Sequence, residues 1–206
     1  RSSDLQMSYV DLTYQIGLTL LDGVGDVLAK NLVAYCGSAE QVFKTKKGLL
    51  EKIPGIGTYT SNAILASKSV LDRAEREIKF IEDKKIKPLF FTDNDFPQRL
   101  KSCNDSPVML YYKGNANLNV DKIVAVVGTR TPSVYGKQMT EKLIADLSNS
   151  GCLVVSGLAY GIDVTAHKCS LENGLNTVGV LAHGLDRVYP SVHSQYAEKM
   201  IRSEEH

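Results

Sequence analysis

"VAVVGTRTPSVYG", residues 124–136, is the stretch that decides the fold. Four apolar residues, Val124, Ala125, Val126 and Val127, run straight into Gly128, and Thr129 and Arg130 follow at once. A short apolar run ended by glycine reads as a buried strand, and Met139, Leu143, Ile144 and Leu147 then recur at helical spacing up to a C-capping Gly151. The pattern repeats twice. Residues 152–157 read as a second strand and 163–173 as a second helix, closed by Gly174; residues 177–182 read as a third strand and 191–201 as a third helix. Continuous apolar strands alternating with helices predict a parallel sheet covered on both faces. Ligands of such sheets bind beyond the carboxyl ends of the strands.

Three loops should line that rim: Gly128-Thr129-Arg130, residues 156–163 with His167 one turn on, and residues 183–190. Gly128 and Gly157 would let backbone approach a ligand, Thr129 offers a hydroxyl, and Arg130 a planar fork suited to phosphate. Helices starting after Gly136 and near Asp163 would aim their positive ends the same way. A Gly-x-Gly-x-x-Gly dinucleotide loop is absent, and Gly136-Lys137-Gln138 has neither the spacing nor the hydroxyl of a P-loop. No cofactor and no metal are expected. A salt-bridge role for Arg130 is the bland alternative; its place at a strand tip beside Gly and Thr favours ligand contact. His167 reads as a satisfied, partly buried histidine, and Asp163 most simply as a helix N-cap or first-turn residue, with a restraint on Arg130 as a second use. Tyr135, Tyr160 and Tyr189 fall near the rim, where packing is the commoner role and base stacking the sharper one.

The composition bounds the partners. The chain has 206 residues, 43% of them hydrophobic, and a net charge of +1. Residues 1–85 carry 12 Lys+Arg against 11 Asp+Glu, and residues 86–206 carry 12 of each. A broad nucleic-acid face would show a basic excess, so any such site is local. No apolar run is long enough to span a bilayer, which with the lack of a leader predicts a soluble, cytoplasmic chain. The four cysteines, Cys36, Cys103, Cys152 and Cys169, form no close-spaced pair; Cys152 and Cys169 fall in apolar surroundings and read as reduced, buried thiols.

Before residue 86 the pattern is helical, and it contains a weak repeat. "GVGDVLAKNLV" (23–33) and "GIGTYTSNAIL" (55–65) share Gly-aliphatic-Gly followed by helical spacing. This form resembles the helix-hairpin-helix motif of sterile-alpha-motif-like domains, in which a glycine turn presents free helix amides to a phosphate. Close helix packing is the alternative use of such turns. Asp26 is a poor neighbour for phosphate, so Thr58, Thr60, Ser61 and Lys68 make the second copy the better candidate. Lys44, Lys46 and Lys47 read as a solvated face. "PLFF" (88–91) and "VMLYY" (108–112) read as short strands around turn-rich segments.

Taken in order and spacing, "VAVVGTR…YG", "VVSGLAYGIDVTAH" and "VGVLAHGLDRVYP" resemble the DNA-processing protein A (DprA, or Smf) family. Residues 88–115 resemble the extension before its core, and residues 1–82 its helical domain. The resemblance implies an α/β chain in two domains. Residues 1–82 would be an all-helical, sterile-alpha-motif/helix-hairpin-helix-like domain, and residues 83–206 an extended Rossmann-like parallel sheet core, truncated at its C-terminal side where the family continues. It implies single-stranded DNA binding and protection in natural transformation and recombination, loading of a RecA-type recombinase, a homodimer, no catalysis and no membrane. The DNA contacts it implies are Gly128, Thr129 and Arg130, with Ser156, Gly157, Gly161 and Asp163 shaping the pocket, Gly136 and Lys137 at the next helix start, and Arg187 in place of a basic residue at Ser191. The rival readings are a nucleotide-processing hydrolase of the phosphoribohydrolase type, whose Pro-Gly-Gly loop is absent, and a nucleotide-binding regulatory protein.

Overall fold

The structure, a computed structural model, describes residues 9–202. Contacts divide the chain into two compact units, the first ending at Tyr112 and the second starting at Lys113. No described helix is long and apolar enough to cross a membrane.

The first unit is helical with one strand pair. Its helices are α1 (Tyr9–Leu20), α2 (Asp26–Cys36), α3 (Ala39–Lys44), α4 (Lys47–Leu50), α5 (Thr58–Leu65) and α6 (Lys68–Asp83), followed by β1 (Lys87–Phe90), α7 (Gln98–Lys101) and β2 (Met109–Tyr112). The longer helices bury one stripe each. In α6, Ala74, Ile78 and Ile81 sit at helical spacing and are buried, and they join Ile16, Leu32, Val42, Leu50 and Ile64 in the core. The two Gly-x-Gly turns are the same turn built twice. Val24 N–H donates to Leu21 O and Ile56 N–H to Ile53 O, and all four residues are buried. They pack on one another: Gly55 lies against Leu28 of α2, and Gly23 against Tyr59 of α5.

β1 and β2 pair antiparallel, Lys87 opposite Tyr112. The turn after β1 is closed by Asp93, whose Oδ2 accepts from Phe90 N–H at 2.8 Å. Contacts cluster this strand pair with the helices of the first unit. The physical reason is visible in α2: Asp26 Oδ1 accepts from Val108 N–H at 2.9 Å, and Lys30 Nζ donates to Ser106 Oγ and Asn104 O.

In the second unit, β3 (Ile123–Ala125), β4 (Leu153–Ser156) and β5 (Thr177–Gly179) form a parallel sheet in the order β3-β4-β5. Between them run α8 (Val134–Asp146) and α9 (Ile162–Glu172); a 3₁₀ turn, Ser191–His193, leads into α10 (Ser194–Arg202). One face of the sheet packs against α8 and α9 through Val126, Val154, Ile144, Ala166, Cys169 and Leu175. Cys152 and Cys169 are buried there, and burial pushes the Cys169 thiol up. Two features differ from the sequence pattern. The paired strands are shorter than their apolar runs, and the opposite face is not sealed at the strand ends. Val127 is 84% exposed and Val180 63%. Pairing stops before the apolar residues do, because the chain turns into the rim loops.

Candidate functional site

The rim at the carboxyl ends of β3 and β4 is built by two loops locked together through glycine. Gly161 has φ +82°, a conformation that side chains resist. A Cβ on it would lie 2.2 Å from Thr129 O and 2.7 Å from Arg130 O. A Cβ on Gly128 would in turn lie 2.6 Å from the Ile162 side chain. The two backbones therefore touch where any side chain would part them. Ile162 N–H donates to Thr129 O at 3.1 Å across this contact. Below it, Ser156 Oγ donates to Val126 O at 2.7 Å, tying the tip of β4 to the end of β3's apolar run. Thr129 Oγ1 accepts from Thr131 N–H at 3.2 Å, so the Thr129 side chain shapes the turn.

Arg130 stands on this braced turn. It is exposed and makes no hydrogen bond or ion pair among the described residues. A guanidinium held on rigid backbone and left without a counter-charge can take a phosphate or a carboxylate in bidentate fashion.

The two helix starts differ. At α8, Ser133 caps the helix by accepting from Gly136 N–H at 3.1 Å. Val134 and Tyr135 of that first turn are exposed, and so is Lys137 beside them. At α9, Ile162 N–H goes to Thr129 O and Val164 N–H to Ala159 O. Two of its terminal amides are thus spent inside the loops, and the expectation that α9 offers its end to a ligand is corrected.

Asp163 lies in the first turn of α9, with Gly161 as the N-cap. It does not restrain Arg130. The residue is 8% exposed, its Oδ2 lies 2.7 Å from where a Cβ on Gly157 would be, and its Oδ1 has no partner among the described residues. One turn on, His167 is fully buried. Its Nδ1–H donates to Thr177 Oγ1 at 2.7 Å, and that hydroxyl donates to Val154 O. Nε2 has no partner among the described residues, and burial lowers the pKa to about 4. A histidine sealed from solvent cannot exchange protons with a ligand on the rim.

The third loop stands apart. Arg187 and Tyr189 are exposed after β5, and no hydrogen bond among the described residues ties them to the Arg130 turn. His193, which the sequence did not single out, is 5% exposed and donates from Nδ1 to Leu158 O at 2.8 Å. Only its position after Tyr-Pro could have drawn notice to it.

A parallel α/β sheet with a cationic strand-tip turn at its rim defines a Rossmann-like α/β protein with a helical N-terminal region. The comparisons narrow this class. The family described as DNA recombination-mediator protein A matches residues 87–205, and the chain belongs to that family. It is 32% identical over 201 residues to the protein Smf of Synechocystis sp., a match covering 94% of this chain and 50% of that protein. To the DNA processing protein DprA of Streptococcus pneumoniae it is 41% identical over 114 residues, covering 55% and 40%. To that of Bacillus subtilis it is 34% identical over 156 residues, covering 72% and 52%. The X-ray structure of DNA processing protein A from Streptococcus pneumoniae superimposes with a TM-score of 0.69 at 28% identity, covering 91% of this chain and 64% of that one. The chain thus spans about half the length of these sequence relatives.

Proposed function

We propose that this chain binds single-stranded DNA through a phosphate on Arg130, protects it during transformation and recombination, and helps load a RecA-type recombinase. The observation that carries this reading is Arg130 itself: exposed, unpaired among the described residues, and held by the Gly128–Gly161 lock. Relatives named DNA processing protein support the DNA assignment. The near-neutral charge of the chain, +1, fits a local contact rather than a broad basic face. Gly128, Thr129, Ser156, Gly157 and Gly161 hold the turn, Gly136 and Lys137 extend it at the start of α8, and Arg187 adds a second cation after β5. A homodimer and a cytoplasmic setting complete the reading; the four unpaired cysteines suit a reducing compartment. The tandem glycine turns in the first unit are read as helix-hairpin-helix-like; in the second copy Thr60 and Ser61 are buried and Ser61 Oγ donates to Glu51 Oε1, which leaves Thr58 and Lys68 as its exposed candidates.

The reading is of a binding protein and not an enzyme. Among the rim groups, His167 is sealed, and Glu172 is exposed at the far end of α9. The test is fluorescence anisotropy of a labelled oligothymidine at two salt concentrations, with a duplex control. Arg130→Ala should weaken single-strand binding roughly tenfold and reduce the salt slope by about one. An Arg130→Ala variant that binds as well as the parent would defeat the assignment, and nucleotide hydrolysis would then be assayed.

A further inference from the structure

We propose that Tyr160 is a stacking platform for an unpaired base, set beside the phosphate held by Arg130. This inference rests on the Arg130 reading above and extends it to the base. Tyr160 directly precedes Gly161, the residue whose backbone lies against the Thr129 and Arg130 carbonyls. The tyrosine and the arginine are therefore carried on the two halves of one locked contact. The Tyr160 ring is also held from one side. It meets the His193 ring edge-to-face, with centroids 5.1 Å apart and planes at 67°. His193 is itself fixed, 5% exposed and bonded to Leu158 O.

The result is a braced ring that remains 49% exposed. Bracing an aromatic without covering it costs conformational entropy and leaves apolar surface in water. A stacked base would cover that surface. Tyr135 and Tyr189 serve as the internal contrast. Both are 70% exposed, and neither has a ring neighbour among the described residues. They lack the support that makes stacking cheap. Only an unpaired base offers a free face to such a ring, so the pairing of Arg130 with Tyr160 selects single strands over duplex.

The test uses this chain with two strands of equal length and charge: oligothymidine, and an abasic oligonucleotide. Tyr160→Leu should weaken oligothymidine binding about five- to a hundredfold and leave the abasic strand unchanged. Tyr160→Phe should bind as the parent does. The chain has no tryptophan. Tyr160→Trp therefore adds a single reporter, whose emission should be quenched by oligothymidine and not by the abasic strand. Arg130→Ala should weaken both strands alike. If Tyr160→Leu binds oligothymidine normally, or loses both strands equally, stacking is overturned while the Arg130 result still stands on its own. If the parent binds neither strand, the phosphate reading and this one fall together.

Discussion

The two units use the same local signal, a glycine turn leading into a helix, to opposite ends. In the first unit the turns at 23–25 and 55–57 bring two helices together, Gly55 against Leu28 and Gly23 against Tyr59. The groups around them are consumed internally: Asp26 holds Val108 N–H, and Tyr59 donates its hydroxyl to Asp22. In the second unit Gly128 and Gly161 also permit close backbone contact, but what the contact supports is an unpaired cation. Glycine by itself therefore does not mark a binding site. The distinction lies in whether the polar groups beside it find partners within the fold.

The largest expected effect breaks this comparison at its glycines. Gly161→Ala places a methyl 2.2 Å from a backbone carbonyl, at φ +82°. It should destabilise the second unit by about 3 kcal/mol or more and abolish single-strand binding by displacing the Arg130 turn. Gly57→Ala, with extended backbone and nothing within 4 Å of the added Cβ, should cost no more than about 1 kcal/mol, the loss of a glycine N-cap on α5. Urea titrations of both variants decide it. Equal costs would mean that the glycine lock is not what holds the rim.

The order of strands and helices, and the rim residues Gly128, Thr129 and Arg130, were legible because hydrophobic period and glycine placement are local properties. Strand ends were not. Val127 and Val180 continue the apolar pattern, yet they lie past the last residues in register, Ala125 and Gly179, and are exposed, although Val180 N–H still donates to Ser156 O. Nor was the fate of the α9 amides, because Ile162 N–H is taken by Thr129 O, from a loop more than thirty residues away. The partner of Asp26 is likewise remote, at Val108, and it is this bond that ties the strand pair to the helices. Periodicity tells which face of a helix is buried; it does not tell which loop comes to lie on its end.

A second contrast concerns acid. Every histidine of the chain lies in residues 113–206, and among the described ones His167 is the most deeply placed. Its pKa falls from 6.5 to about 4, mainly by burial; Asp163 opposes the fall and His193 adds to it. Below pH 6.5 the unfolded chain binds a proton that the folded chain refuses, so stability of the second unit is lost as pH drops toward 4. The loss amounts to about 3 kcal/mol. Asp93 in the first unit shifts upward through burial, so its protonation favours the folded form as pH falls. Hydrogen exchange followed separately in β4–β5 and in α1–α6 should show protection falling in the former from pH 6.5 downward and holding in the latter, and His167→Gln should flatten the difference. Parallel loss in both units would remove His167 as the cause.

The smallest effect tests whether the first unit shares in binding. Asp26→Ala removes the acceptor for Val108 N–H, and leaving that amide without a partner costs about 1 kcal/mol. It also removes a carboxylate from the first turn of α2, where negative charge is favoured by the helix dipole. Both changes weaken the first unit in a chemical melt. A phosphate on that helix end would gain from the same substitution, since a like charge in the first turn is gone. If the glycine turn of α2 serves packing alone, Asp26→Ala lowers stability and leaves oligothymidine affinity within about twofold. A rise in affinity, with a steeper salt slope, would instead show that the two glycine devices differ only in what happens to occupy them.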